Sequence, residues 1–267
     1  MKIAILSDIH EGLNRKRTEV DLLDILDDWI QIHSPDVFII GGDMTAKPDR
    51  ALAHLNLLQK DCPGTKFLFV HGNHDIYGED SVQAYETLLQ FPGNLGNGPV
   101  QLENDWVIIG DGGWYDYSFG LPEYTHEQFE GGTFGDFTWP DKKFANWRET
   151  DVRWTNRYVE RLENWLQENE DKKIIMVTHM VPFLRYVQCK NNPEWDFFNA
   201  MMGSKLFGEL ALKYGVRKYI FGHIHTKYHE TYKGMEIICN PLGYFPGEWD
   251  YLSPEEEIFA AIKVIEV

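Results

Sequence analysis

Cysteine is scarce in this 267-residue chain, and its distribution excludes two common architectures. Cys62, Cys189 and Cys239 are odd in number, widely separated and without a CxxC pair, so neither a disulfide framework nor a zinc ribbon is expected. Basic residues are also few, 25 against 42 acidic ones, for a formal net charge of −17. Such a surface repels polyanions, which argues against long DNA or RNA and against anionic membranes. A small anionic substrate stays compatible, provided bound cations reverse the field locally. Long apolar runs are missing as well. The opening run Ile3 to Leu6 is too short for a signal peptide, and no later run approaches the ~18 residues of a membrane span. A cytoplasmic protein is the expectation.

What is present is a rhythm of apolar runs that end in polar clusters. Ile3 to Leu6 reads as a buried strand delivering Asp8, and apolar residues between Arg17 and Ile32 recur at helical spacing until Ser34 and Pro35 stop them. Val37 to Ile40 is the next strand, followed by a helix near Asp49 to Lys60 and a strand at Lys66 to Val70. Further strands are expected at Trp106 to Ile109, Ile174 to Val177 and Lys218 to Phe221. This alternation predicts an α/β domain with a largely parallel sheet, whose ligand sites gather at the carboxyl ends of the strands. The end of the chain predicts a hairpin, Lys227 to Tyr232 with Glu236 to Asn240, a final strand at Ile258 to Val264, and hence a second, more antiparallel sheet. One domain over 1–267 is expected, with an aromatic-rich insertion or cap at about 111–150 that sets substrate choice.

The polar clusters carry the chemistry. Asp8 and His10 flank one residue at a strand end, where a turn can aim both at one point. Gly41 and Gly42 allow a sharp turn that leaves the Asp43 carboxylate free to reach two cations. Asn73, His74 and Asp75 place an amide oxygen, an imidazole and a carboxylate in one tight loop. His179 follows a buried run, and His223 and His225 flank Ile224, a spacing that can serve two neighbouring ions. Singly, each has a plain structural reading as a turn or cap residue. Five clusters in the order D-x-H, GGD, GNHD, H, GHIH, all at expected strand ends, are far more specific.

That ordered set resembles the calcineurin-like metallophosphoesterases over Asp8 to His225. The resemblance implies a sandwich of two mixed β-sheets flanked by helices, with a binuclear centre at the sheet edge. It further implies that Asp8, His10 and His225 hold one ion, that Asn73, His179 and His223 hold the other, and that Asp43 bridges them. His74 would be the catalytic imidazole outside the ligand set, with Asp75 as its partner. The ions would be divalent or transition metals, manganese first, with iron, zinc or nickel as alternatives. Two ions roughly 3.5–4 Å apart clamp a phosphate and lower the pKa of a bridging water. The implied activity is hydrolysis of a small phosphomonoester or phosphodiester; a nuclease acting on nucleic-acid ends and a non-catalytic binding module are the alternatives.

Departures narrow the resemblance. Ser/Thr protein phosphatases read GDxVDRG where this chain has Gly42-Asp43-Met44-Thr45-Ala46-Lys47, and purple acid phosphatases carry a tyrosine ligand where Ala46 stands. The pattern is most similar to small bacterial-type phosphoesterases, including cyclic-nucleotide phosphodiesterases. Among the remaining histidines, His33, His54, His126 and His229 match no motif, while His71 adjoins the site. Trp114, Tyr115, Tyr117, Phe119, Phe134, Phe137 and Trp139 are candidates either for stacking on substrate or for filling the core of the insertion.

Overall fold

The structure, a computed structural model, describes residues 1–187 and 191–267, so Cys189 lies outside the described residues. The first half runs β1 (Lys2–Leu6), α1 (Glu11–Thr18), α2 (Leu22–His33), β2 (Val37–Ile40), α3 (Pro48–Asp61), β3 (Lys66–Phe69), α4 (Ser81–Leu88), β4 (Val100–Gln101) and β5 (Trp106–Gly110). The region after β5 holds α5 (His126–Gly131), β6 (Thr133–Phe134), β7 (Phe137–Thr138) and α6 (Pro140–Phe144). Then follow α7 (Asp151–Glu168), β8 (Lys173–Val177), α8 (Pro193–Phe198), α9 (Lys205–Lys213), β9 (Lys218–Phe221), β10 (Tyr228–Tyr232), β11 (Met235–Cys239), α10 (Pro254–Ala261) and β12 (Lys263–Glu266).

Two mixed sheets form, ordered β12-β1-β2-β3 and β10-β11-β9-β8-β5-β4. Their central pairings are parallel, as the strand–helix alternation predicts, and the antiparallel pairs β1–β12, β10–β11 and β4–β5 lie at the edges. The sheets face each other across a dry aliphatic layer that includes Ile3, Ile5, Val37 and Ile39 from one and Ile108, Ile175, Val177 and Ile220 from the other. The opposite faces of the same strands bury Phe38, Phe67, Met176, Tyr219 and Phe221 beneath helices. Burial on both faces explains why these strands read as unbroken apolar runs rather than alternating ones. Among the described residues no helix is long and apolar enough to cross a membrane.

Three expectations are corrected. The helix expected between Arg17 and Ile32 starts later, at Leu22, because Asp21 caps α2 by accepting from the Leu23 N–H, and a separate α1 precedes it and ends at Glu19 in the left-handed region (φ 60°). The final strand begins later than Ile258: Ser253 caps α10 and Pro254 opens it, so Ile258 to Ala261 are helical and the strand is Lys263–Glu266. The hairpin and the last strand do not share a sheet, since β10–β11 extends the six-stranded sheet while β12 pairs with β1.

Candidate metal centre

The loops after β1, β2, β3, β8 and β9 converge at one edge of the sandwich. Hydrogen bonds tie them together: the Asp8 N–H donates to the Gly42 carbonyl (2.9 Å), that of His10 to the Asp43 carbonyl (2.9 Å), and that of Gly222 to the His179 carbonyl (3.0 Å). Five of the predicted residues take left-handed backbone: Asp8 (φ 53°), His10 (44°), Asp43 (55°), His223 (73°) and His225 (45°). Each such conformation costs about 1–3 kcal/mol in a non-glycine residue and persists only where the surroundings enforce it. The purpose is visible in Asp8-Ile9-His10 and His223-Ile224-His225. Each triplet has left-handed backbone at both ends; the side chains of Asp8 and His10 meet in one group, whereas those of His223 and His225 reach two neighbouring groups. Gly72 answers a different need, close approach, for a Cβ there would lie 2.0 Å from Asp43 Oδ1.

The predicted side chains meet in two groups around Asp43. In one, His225 Nε2 lies 3.4 Å from Asp8 Oδ1 and 3.0 Å from His10 Nε2, and His10 Nε2 is 3.7 Å from Asp43 Oδ2. In the other, Asn73 Oδ1 lies 3.2 Å from His179 Nε2 and 3.0 Å from His223 Nδ1, while His179 Nε2 is 3.5 Å from Asp43 Oδ2. His74 stands beside both, its Nε2 3.9 Å from Asp43 Oδ2 and its backbone N–H donating to Asp43 Oδ1 at 2.8 Å. All eight predicted residues are therefore together. Metal-compatible triads are Asp8/His10/His225, Asp43/His179/His223 and His10/Asp43/His74.

Charge makes the same case. Asp8 and Asp43 are buried, and among the described residues no lysine or arginine pairs with either. Burial disfavours their charge, yet the surrounding imidazoles outweigh it, taking Asp8 down to about 2 and Asp43 well below the ordinary carboxylate range. The carboxylates act back on two rings. Burial opposes protonation of both, but Asp43 and Asp8 raise His179 to about 9, and Asp8 with Glu248 raises His225 to about 10. Burial prevails at His10 and His223, each lowered to about 3, leaving neutral rings with lone pairs to offer. The His223 Nε2 atom is buried without a hydrogen-bond partner. Two deep carboxylates, four imidazoles and an amide oxygen form a donor set that fits borderline divalent cations, whose binding would displace the protons of His179 and His225.

Two carboxylates that the motif pattern does not reveal orient this set. Glu248 Oε2 lies 2.7 Å from His225 Nδ1, which turns Nε2 toward Asp8 and His10. Asp141 accepts from Asn73 Nδ2 at 2.8 Å, from the Tyr77 hydroxyl at 2.6 Å and from Trp139 Nε1 at 3.0 Å. For His179 the backbone suffices, its Nδ1 lying 2.9 Å from the Gly41 carbonyl. Asp75 is corrected: its carboxylate accepts from the Thr45 and Gly72 N–H groups (2.9 and 2.8 Å) rather than from the His74 ring, and so clamps the loops after β2 and β3. Burial raises the Asp75 carboxyl to about 7.

His71 lies behind the centre, with Nε2 2.8 Å from the Tyr158 hydroxyl, and burial lowers it to about 4. His33 stacks on Trp29 at 4.2 Å, His126 packs on Tyr117, His54 adjoins Arg50 and His229 meets Glu236, all apart from the cluster. Among the aromatic residues of 111–150, Trp114, Tyr115, Tyr117 and Phe119 are core, and Phe134 and Phe137 pack on Phe197 and Phe198. Only Trp139 of that set lines the cleft of about 370 Å³ above the centre, whose other walls include Tyr77, Trp195, Met202 and Tyr244. Tyr244 lies against the His10 ring at 4.4 Å.

Fold and site define a phosphoesterase-type α/β sandwich. The chain belongs to the calcineurin-like phosphoesterase family, whose model matches residues 1–227. Among solved structures it resembles the phosphopantetheinyl hydrolase of Mycobacterium tuberculosis, at 18% identity and a TM-score of 0.72, covering 99% of this chain and 95% of that one. It also resembles a dimetal phosphatase from Danio rerio (13% identity, TM-score 0.57, 90% and 86% covered) and a Thermus thermophilus protein, TT1561 (13%, 0.56, 99% and 98%). At these identities the likeness is one of fold. No curated protein matches the sequence.

Proposed function

We propose that the protein hydrolyses small phosphoesters, monoester or diester, at a centre for two divalent or transition-metal ions, with manganese the first candidate. Asp8, His10 and His225 would hold one ion, Asn73, His179 and His223 the other, and Asp43 both. The observation that carries the proposal is the position of Asp43, a buried carboxylate within 3.7 Å of His10 in one donor group and 3.5 Å of His179 in the other. Bound there, such ions supply Lewis-acid charge to a phosphoryl group and acidify a water. The chain's own contribution is to orient and enclose. The Gly41 carbonyl and Glu248 fix two ring orientations, and the left-handed turns hold the donors in place before substrate arrives.

His74 is proposed as the general acid. Its side chain is 27% exposed, it opens onto the cleft, and its backbone N–H is fixed to Asp43, so its imidazole can hand a proton to a departing oxygen. The cleft of about 370 Å³ suits a substrate of modest size. The test is a screen of the manganese-loaded protein against cyclic nucleotides, mononucleotides, aryl and bis-aryl phosphates and phosphopantetheinyl compounds. Metal-dependent turnover of at least one is expected, and turnover of diesters alone would assign a phosphodiesterase. Two bound ions with no turnover of any small phosphoester would overturn the proposal.

A further inference from the structure

We infer that Asp141, contributed by the segment after β5, is a positioning residue that sets which end of the Asn73 amide faces the metal centre. The inference rests on the two-ion reading above. A carboxylate with its negative charge only accepts hydrogen bonds, so the Asn73 side chain must present its NH₂ to Asp141. Its oxygen is thereby committed to the opposite direction, where His179 Nε2 and His223 Nδ1 lie at 3.2 and 3.0 Å. The two ends of the amide are nearly isosteric, and the other partner of its NH₂, the Tyr77 hydroxyl 3.1 Å away, can donate as readily as accept. An NH₂ group turned inward cannot ligate a cation.

Asp141 is 1% exposed and accepts three neutral donors, and among the described residues no cation is one of its hydrogen-bond partners. A buried carboxylate kept on these terms has a specific use, and one of its three donors is the ligand candidate itself. The third donor, the Trp139 indole N–H, belongs to the cleft wall, so one carboxylate joins that wall to Asn73. Through Asp141 the segment 111–150 reaches the proposed metal centre.

The experiment titrates Mn²⁺ into the full-length, metal-free protein by calorimetry, with thermal unfolding in chelator as the check of folding. Wild type is expected to bind two ions. Asp141→Ala should weaken one of them about 10–100-fold, the usual effect of removing an outer partner of a ligand, and leave the other unchanged. The decisive arm changes residue 73. Asn73→Asp presents an oxygen whichever way it turns, so in that background Asp141→Ala should cost no affinity, and should gain some by removing a neighbouring negative charge. A merely structural role for Asp141 predicts the same loss in both backgrounds, and that result would overturn the inference, as would two wild-type affinities in folded Asp141→Ala. If Asp141→Ala does not fold, Asp141→Asn keeps the volume, and the same dependence on residue 73 is expected of it. A wild-type protein that binds only one ion would contradict the two-ion reading, and this inference with it.

Discussion

The two halves of the centre are built alike, but their supporting carboxylates lie at different depths. In the Asp8, His10 and His225 half, His225 is 13% exposed and is steadied by Glu248, itself 39% exposed, whose Oε2 also accepts from the Tyr244 N–H at 2.7 Å. In the Asn73, His179 and His223 half, His179 is fully buried and the supporting carboxylate, Asp141, is 1% exposed. Each half borrows one carboxylate from outside the sequence motifs. The lesson is that the motifs specify the donors, while later and unrelated segments specify their orientation. An exposed support yields to solvent screening and a buried one does not, so the two halves should respond unequally to loss of their supports.

The comparison breaks completely at Asp43, the residue the halves share. Asp43→Asn should impair both ions together, since an amide lacks the charge and one of the two anionic oxygens. Metal content after gel filtration checks this, and retention of two ions at wild-type affinity would rule out a shared carboxylate. Next in size is His74, which belongs to neither half. His74→Asn should keep both ions and lower turnover by about 10²–10⁴, the usual worth of a positioned acid, with the greater loss on substrates whose leaving groups are poor. Equal loss on activated and unactivated esters, together with loss of an ion, would move His74 into the ligand set.

A smaller effect separates the halves. Glu248→Gln should weaken one ion by about 10-fold, the low end of the range for an outer partner, because the Glu248 side chain is 39% exposed, and should leave the Asn73 half untouched. Calorimetric titration reads this directly, and a change in both affinities would contradict the division into halves. A last effect falls on the fold as a whole. Manganese at 100 times its dissociation constant should stabilise the protein by about 2.7 kcal/mol per ion bound only to the native state. Thermal unfolding with and without chelator measures it, and an unchanged Tm would count against sites preformed in the folded chain.

The gathering of the predicted side chains was legible in the sequence because each cluster is local in the chain and sits at the end of an apolar run, where a parallel sheet brings loops together. The central strands were legible for the related reason that both their faces are buried. Asp141 and Glu248 were not, since their partners Asn73 and His225 are 68 and 23 residues away and no fixed spacing links them. The aromatic residues of 111–150 illustrate the same limit. Composition marks Trp114 and Trp139 alike, yet contact with Tyr115 and Trp147 makes the first core, while Trp139 is left at the cleft. The helix break at Glu19 and the start of α10 had local signals, Asp21 as a cap and Ser253-Pro254 as an opening, but the apolar periodicity running through them dominates a reading by pattern alone.

The central claim is that two ions share one carboxylate, and anomalous diffraction from crystals grown with Mn²⁺ tests it most directly. The account predicts two peaks, one bounded by Asp8, His10 and His225, the other by Asn73, His179 and His223, with Asp43 touching both. A single peak, or a second peak held by His74 in place of Asn73, would contradict it.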